Sequence, residues 1–298
     1  MLDSVIIGGG PSGLNASLIL ARAKKNIILF DEDKPRNAVT HESHGFITRD
    51  GITPSEFKKI AKQDLMKYPN FRLYNERAMD IKKEAGFFSI YTESGNVYIS
   101  RKVILSTGLV DVLPSIEGIH DFYGTSLFTC PFCDGWELKD LPLVLITENP
   151  NAFHKIKLIY NWSRDLIVCT NGKNALSREQ RELLLSKKIK VIEDQIATLH
   201  GSGGKLKSIR FKNGNEIERK GGFVAAGLKQ ASTLAKSLGC KQLPNGGIEI
   251  DHFGRTNIAG VYASGDISLS TPSQVINAAS EGSIAAMGVI HDLVNEDF

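Results

Sequence analysis

The chain is poor in the features that usually announce a protein's class. It has four cysteines in 298 residues, too few for a disulfide scaffold. Cys169 and Cys240 each stand alone in apolar or small-residue surroundings, where a thiol packs as a small hydrophobe. No apolar run reaches the roughly 18 residues of a membrane-spanning helix, so no membrane partner is expected. The net charge is only +3 and is dispersed, too weak to argue for nucleic acid as a partner. The pairs Lys24-Lys25 and Lys187-Lys188 read as solvated faces. Residues 4–7 already read as a core strand, which leaves no room for a signal peptide. The expected location is the cytoplasm, where thiols stay reduced. What is plentiful is apolar residue, 42% of the chain, enough for the cores of two ordinary domains.

The first element of interest is "SVIIGGGPSGLNASLILARA". A short apolar strand runs into Gly8, Gly10 and Gly13, and a helical pattern follows with Leu14, Leu18 and Ala21 on one face. A second apolar run, residues 26–30, ends in Asp31. This is the dinucleotide fingerprint in its required order of strand, glycine turn, helix, strand and acid. Gly8 permits the turn, Gly10 lets backbone approach a pyrophosphate, and Gly13 lets helix and strand pack. Pro11 and Ser12 open the helix, whose free N–H groups face the phosphates. Asp31 is placed to accept from a ribose hydroxyl. The fingerprint alone does not separate FAD from NAD.

Two later segments add to it. Residues 103–108, "VILSTG", are a buried strand ending at Thr107 and Gly108; residues 261–266, "VYASGD", are another ending at Gly265 and Asp266. A small-residue helix is expected to start near Pro272. Together with Cys130-Pro131-Phe132-Cys133-Asp134, this order of motifs resembles the low-molecular-weight thioredoxin reductases over nearly the whole chain. The resemblance implies two three-layer, Rossmann-like α/β domains, the second inserted into the first. The FAD-binding domain is then residues 1–115 and 246–298, and the inserted NADPH-like domain is residues 116–245. It further implies FAD as cofactor and a homodimer. Asp266 would hold the ribityl or pyrophosphate region, with Gln274 and Val275 by the pyrimidine end of the flavin. Arg36 and Asn37 are expected on the adenosine side, and His41 and His44 near the flavin. The "SHGF" around His44 resembles a branch of the family that oxidises dithiols.

The cysteine pair has three readings. Zinc needs a second pair or suitably spaced histidines, and His120 and His154 fall at the wrong spacing, so no metal is expected. A structural disulfide does not suit the cytoplasm. A redox pair remains. Pro131 suits a first helical turn, which would offer the thiols free N–H groups and favour thiolate. A carboxyl at Asp134 can take a proton from an incoming thiol or return one to a leaving sulfur; its bland reading is a turn residue before Gly135. The resemblance makes Cys133 the flavin-side sulfur, Cys130 the interchange sulfur and Asp134 the general acid–base. Trp136 is expected to pack at the hinge.

The middle of the chain departs from the family. After the strand "LPLVLI", the turn reads Thr147-Glu148-Asn149-Pro150-Asn151-Ala152, with no glycine, and the next strand runs into Thr170-Asn171-Gly172 without arginines for a 2′-phosphate. The fold is expected to persist and efficient NADPH use to be lost. The chain therefore reads as an FAD-dependent thiol–disulfide oxidoreductase acting on a thioredoxin-like protein or a small dithiol or disulfide. Oxygen as acceptor would make it a dithiol oxidase; ferredoxin or flavodoxin as donor would make it a disulfide reductase. The alternatives are an NADPH-dependent thioredoxin reductase with an unusual nucleotide site, and a flavin-bearing redox-sensing module.

Overall fold

Strand side chains alternate between faces, and the first strand, Leu2–Ile7, is buried on both: Val5 and Ile7 point into one core, Ile6 into another. That is why it reads as a continuous apolar run. The computed structural model describes residues 1–298, which divide into two compact units. The first holds Met1–Ala38, Gly45–Val110 and Leu228–Phe298; the second holds Val39–His44 and Asp111–Gly227.

In the first unit Leu2–Ile7 lies between Ile27–Phe30 and Val97–Leu105, all parallel. Phe71–Tyr74 extends one edge and Val261–Ala263 the other. One face carries an antiparallel meander of Ala78–Lys83, Phe88–Thr92 and the start of Val97–Leu105. Helices Pro11–Arg22 and Val275–Asp297 cover the other face. The two helices approach closely because small residues line their seam: a Cβ on Gly282 would lie 2.0 Å from Ser12 O.

The second unit repeats the plan. Its parallel strands run in the order Lys190–Ile192, Leu166–Cys169, Leu143–Ile146, Gly221–Val224 and Leu127–Phe128. The meander Ile196–Ser202, Lys205–Phe211 and Glu216–Glu218 packs on one face, and helices Phe153–Ile159 and Arg178–Ser186 on the other. Both units are thus three-layer α/β structures, the second inserted into the first.

The unit boundaries differ from those expected. They fall at 110/111 and 227/228 instead of 115/116 and 245/246. Leu113 and Ile116 pack into the second core, whereas Leu234, Ala235, Leu238 and Cys240 pack into the first. The polar connection after the second strand is also divided, since Val39–His44 groups with the second unit. The last helix begins at Val275, three residues beyond Pro272. Cys169 and Cys240 are buried free thiols; burial pushes the Cys169 thiol up to about 12. No helix is long and apolar enough to cross a membrane.

Candidate active site

The chain leaves the first strand through Gly8, at φ +106°, a conformation that side chains rarely adopt. A Cβ on Gly13 would lie 1.9 Å from Gly8 O, whereas a Cβ on Gly10 would meet nothing within 4 Å. Gly13 therefore serves packing, and Gly10 presents bare backbone. Gly10 is also the residue before helix Pro11–Arg22, and no side chain caps that helix. Asp31 is buried and accepts from the N–H groups of Gly9 at 3.3 Å and Asp33 at 3.1 Å. Two neighbours escaped the sequence reading. A Cβ on Gly9 would lie 2.4 Å from Asp31 Oδ2, a need signalled only by a glycine standing between Gly8 and Gly10. Lys58, buried on helix Pro54–Leu65, brings its ammonium 2.8 Å from Asp31 and 2.5 Å from Asp33. It holds the Asp33 carboxyl below the usual carboxylate range. Nothing in the local pattern singles Lys58 out, because lysine is seldom buried.

Three buried hydroxyls meet where the strands end. Ser264 Oγ lies 2.8 Å from Ser12 Oγ and 3.0 Å from Ser106 Oγ. Thr107 and Gly108 follow Ser106, and Gly265 and Asp266 follow Ser264, so these expected cofactor residues leave the sheet together. Arg36 donates to Asp266 Oδ2 at 2.9 Å. It thus stands at the Gly265-Asp266 turn, with Asn37 beside it in the 3-10 turn Arg36–Val39. Glu281, also missed, ties this loop down. It accepts from Gly265 N–H at 2.9 Å and from the hydroxyls of Ser268, Ser270 and Thr271 at 3.0, 2.7 and 2.6 Å. Gln274 precedes Val275 at a second helix start without a side-chain cap.

These residues fit a dinucleotide such as FAD: bare backbone at Gly10, two uncapped helix N-termini, a buried acid, and an Arg36–Asp266 pair. The two glycines should separate by substitution. Gly10→Val is expected to fold with an unchanged circular-dichroism melt but to purify colourless, with flavin affinity down about 100-fold or more, the loss of one or two charge-assisted bonds. Gly13→Val should lower the melting temperature by overpacking. A yellow Gly10→Val protein with normal affinity would remove Gly10 from the cradle.

In the second unit, Cys130 and Cys133 form a disulfide with Cα atoms 5.3 Å apart. Cys130 precedes a single helical turn, Pro131–Asp134, and Cys133 lies within it. The N–H groups of Cys133 and Asp134 both donate to Cys130 O at 3.2 Å, so two of the donors expected beside the sulfurs are occupied. Both cysteines are half-buried and Asp134 is buried. Burial pushes the Asp134 carboxyl up to about 7; Glu137 adds to the rise and His44 opposes it. Both protonation states are then available near neutrality, as a proton-transfer group requires. His44 itself sits in this unit, its Nε2 3.5 Å from Glu137 Oε1, a placement the "SHGF" stretch did not reveal. Gly135 is needed because a Cβ there would lie 2.7 Å from the Trp162 ring. Trp162 also meets Phe132 edge-on, with centroids 5.8 Å apart. Trp136, expected to be packed away, is 67% exposed, with the Lys139 ammonium over its ring.

The glycine-free turn after Leu143–Ile146 bonds three of its own N–H groups within itself. Asn149 N–H donates to Thr147 Oγ1 at 3.1 Å, Asn151 N–H to Asn149 Oδ1 at 2.8 Å, and Ala152 N–H to Asn149 O at 3.1 Å. Pro150 has no N–H to give. Asn171 bridges across, donating to Glu148 Oε1 at 2.6 Å and accepting from Ile196 N–H at 2.9 Å.

The family model "Pyridine nucleotide-disulphide oxidoreductase" matches residues 2–282. The crystal structure of "Putative Thioredoxin Reductase TrxB" from Bacillus anthracis is 45% identical and superposes with a TM-score of 0.96 over 100% of both chains. Thioredoxin reductase of Helicobacter pylori is 26% identical over 310 residues, 97% of this chain and 98% of its own.

Proposed function

Because the chain belongs to the pyridine nucleotide-disulphide oxidoreductase family, as an FAD-dependent, thioredoxin-reductase-like thiol–disulfide oxidoreductase, we propose that it exchanges dithiol for disulfide with a thioredoxin-like protein or a small molecule while making little use of NADPH. When bound, FAD supplies the two-electron exchange between the cysteine pair and a second partner, which is oxygen in a dithiol oxidase and ferredoxin or flavodoxin in a disulfide reductase. In the exchange itself, an incoming thiol gives its proton to the Asp134 carboxylate as its sulfur attacks Cys130 Sγ. The Cys130–Cys133 bond breaks, and Cys133 leaves with the proton that Asp134 returns. The second thiol of the substrate then attacks its own sulfur bonded to Cys130, the mixed disulfide breaks, and Cys130 leaves with that thiol's proton, so one substrate disulfide and one enzyme dithiol result.

The observation that speaks against efficient NADPH use is the turn at residues 147–152, which bonds three of its own N–H groups. A nicotinamide dinucleotide needs backbone donors at its pyrophosphate, and here the donors at Asn149, Asn151 and Ala152 are bonded within the turn. Glu148 adds negative charge beside an anionic ligand, and Thr170-Asn171 supply no cation for a 2′-phosphate. Three charge-assisted bonds at about 1.5–3 kcal/mol each amount to a thousandfold or more in affinity, in order of magnitude. The test is stopped-flow flavin bleaching under nitrogen. Slow or absent bleaching by NADPH, with fast reduction by a dithiol or by reduced ferredoxin, is the expected result and chooses the direction. Bleaching within milliseconds at micromolar NADPH would instead identify an NADPH-dependent thioredoxin reductase.

A further inference from the structure

Two charged side chains beside the cysteine turn have no part in the exchange as described. Glu137 lies in the turn that follows helix Pro131–Asp134, and His44 comes from the Val39–His44 segment. His44 Nε2 is 3.5 Å from Glu137 Oε1 and 3.5 Å from Glu42 Oε2. Asp134 is buried, and the His44 side chain is only 18% exposed, whereas Glu42 and Glu137 reach water. Helix Phe153–Ile159 brings another charged group near the turn, Lys155, whose Nζ donates to Thr129 O at 2.9 Å. The turn thus places a carboxylate and an imidazole, in contact with one another, in the field of one buried carboxyl.

A buried carboxyl responds to nearby charge of either sign, because little water intervenes to screen it. We propose that Glu137 and His44 are an opposed pair of positioning residues that together set the protonation of Asp134 during thiol–disulfide exchange. This rests on the acid–base reading of Asp134. Glu137 favours the acid, and protonated His44 favours the carboxylate. Burial with Glu137 alone would hold Asp134 as a neutral acid, able to give a proton to a leaving sulfur but poor at taking one from an arriving thiol. His44 offsets that bias and, by pairing with Glu137, moderates the negative charge that creates it. The proton itself travels only from the incoming thiol to Asp134 and on to Cys133; neither member of the pair gains or loses one.

The test follows reduction of the Cys130–Cys133 disulfide by dithiothreitol in the FAD-loaded, oxidised enzyme between about pH 5.5 and 8.5. The reaction is quenched with an alkylating agent and read as a mass shift, so it does not depend on turnover. Rates are corrected for ionisation of the dithiol. The wild-type profile should carry an inflection that Asp134→Asn removes. His44→Gln should move the inflection up by roughly one pH unit and Glu137→Gln should move it down by a similar amount, while the double variant returns toward wild type. His44→Lys, which keeps the positive charge, should restore the wild-type position. An inflection that stays put in both single variants, or moves the same way in both, overturns the pair and leaves Asp134 as the acid–base group. An inflection that survives Asp134→Asn overturns both. Glu137 is half-exposed, so Glu137→Gln preserves the test if a His44 variant folds poorly.

Discussion

Cys133→Ser is expected to stop all turnover with dithiol or disulfide substrates, leaving only the uncatalysed rate of thiol oxidation, and Cys130→Ser should do the same. A serine oxygen cannot take part in the sulfur–sulfur bond that joins residues 130 and 133. No other sulfur in the chain can stand in. Cys169 is fully buried with its thiol pushed up to about 12, and burial also raises that of Cys240; reactivity needs thiolate and access. The measurement is loss of dithiothreitol thiols by titration, with wild type and both variants at equal flavin content. A single variant that turns over normally would show that the pair is not the relay.

Asp134→Asn should slow exchange by about 10² to 10⁴, the usual span for a lost acid–base group. The sign of its pH dependence follows from burial. The folded carboxyl sits at about 7 against an ordinary 3.8, so attack by thiol, which uses the carboxylate as base, should rise through pH 7 in the wild type and stay flat in the variant. Stability should move in the opposite sense. A carboxyl whose folded value is raised contributes fully below about pH 4 and loses that contribution as pH climbs to 7. Three pKa units correspond to a few kcal/mol, in order of magnitude. At pH 8 the slower Asn variant should therefore melt no lower than wild type, and above it if its amide is satisfied. A variant that is both slow and less stable at pH 8 would point to a structural role.

Sequence order made the nucleotide half legible because each part has a fixed local task. Gly8 must turn, Gly10 must be bare, Gly13 must let a helix approach, and all three show in the spacing. Buried charge was not legible. Lys58 reaches Asp31 and Asp33 from a helix about 25 residues on, and Glu281 reaches back to the Gly265 turn from the last helix. Such partners are set by how the layers stack, and no local pattern records that. The glycine-free turn at 147–152 was readable as a poor phosphate site, but not the way Asn149 and Thr147 consume its donors. His44 illustrates the other limit. Its sequence neighbours suggested the nucleotide half, yet the segment Val39–His44 groups with the inserted unit. The unit boundaries failed for a similar reason, since Leu234 and Leu113 are both apolar and only the packing says which core each enters.

The insertion has a consequence for how the chain is made. Ribosomes deliver the N-terminus first, and domains commonly fold in that order. Here every strand of the inserted unit has emerged once Val224 is out. At that moment the outer unit still lacks Val261–Ala263, which pairs along residues 103–105, and the helix whose Gly282 packs on Ser12. The inner unit is thus free to reach its native state during translation, and the outer one only near its end. Until then the edge at Val103, Ile104 and Leu105 has no partner strand, and unpaired apolar edges attract other chains. That edge is where a nascent-chain chaperone should be found by crosslinking, and it should be released as the last helix is completed.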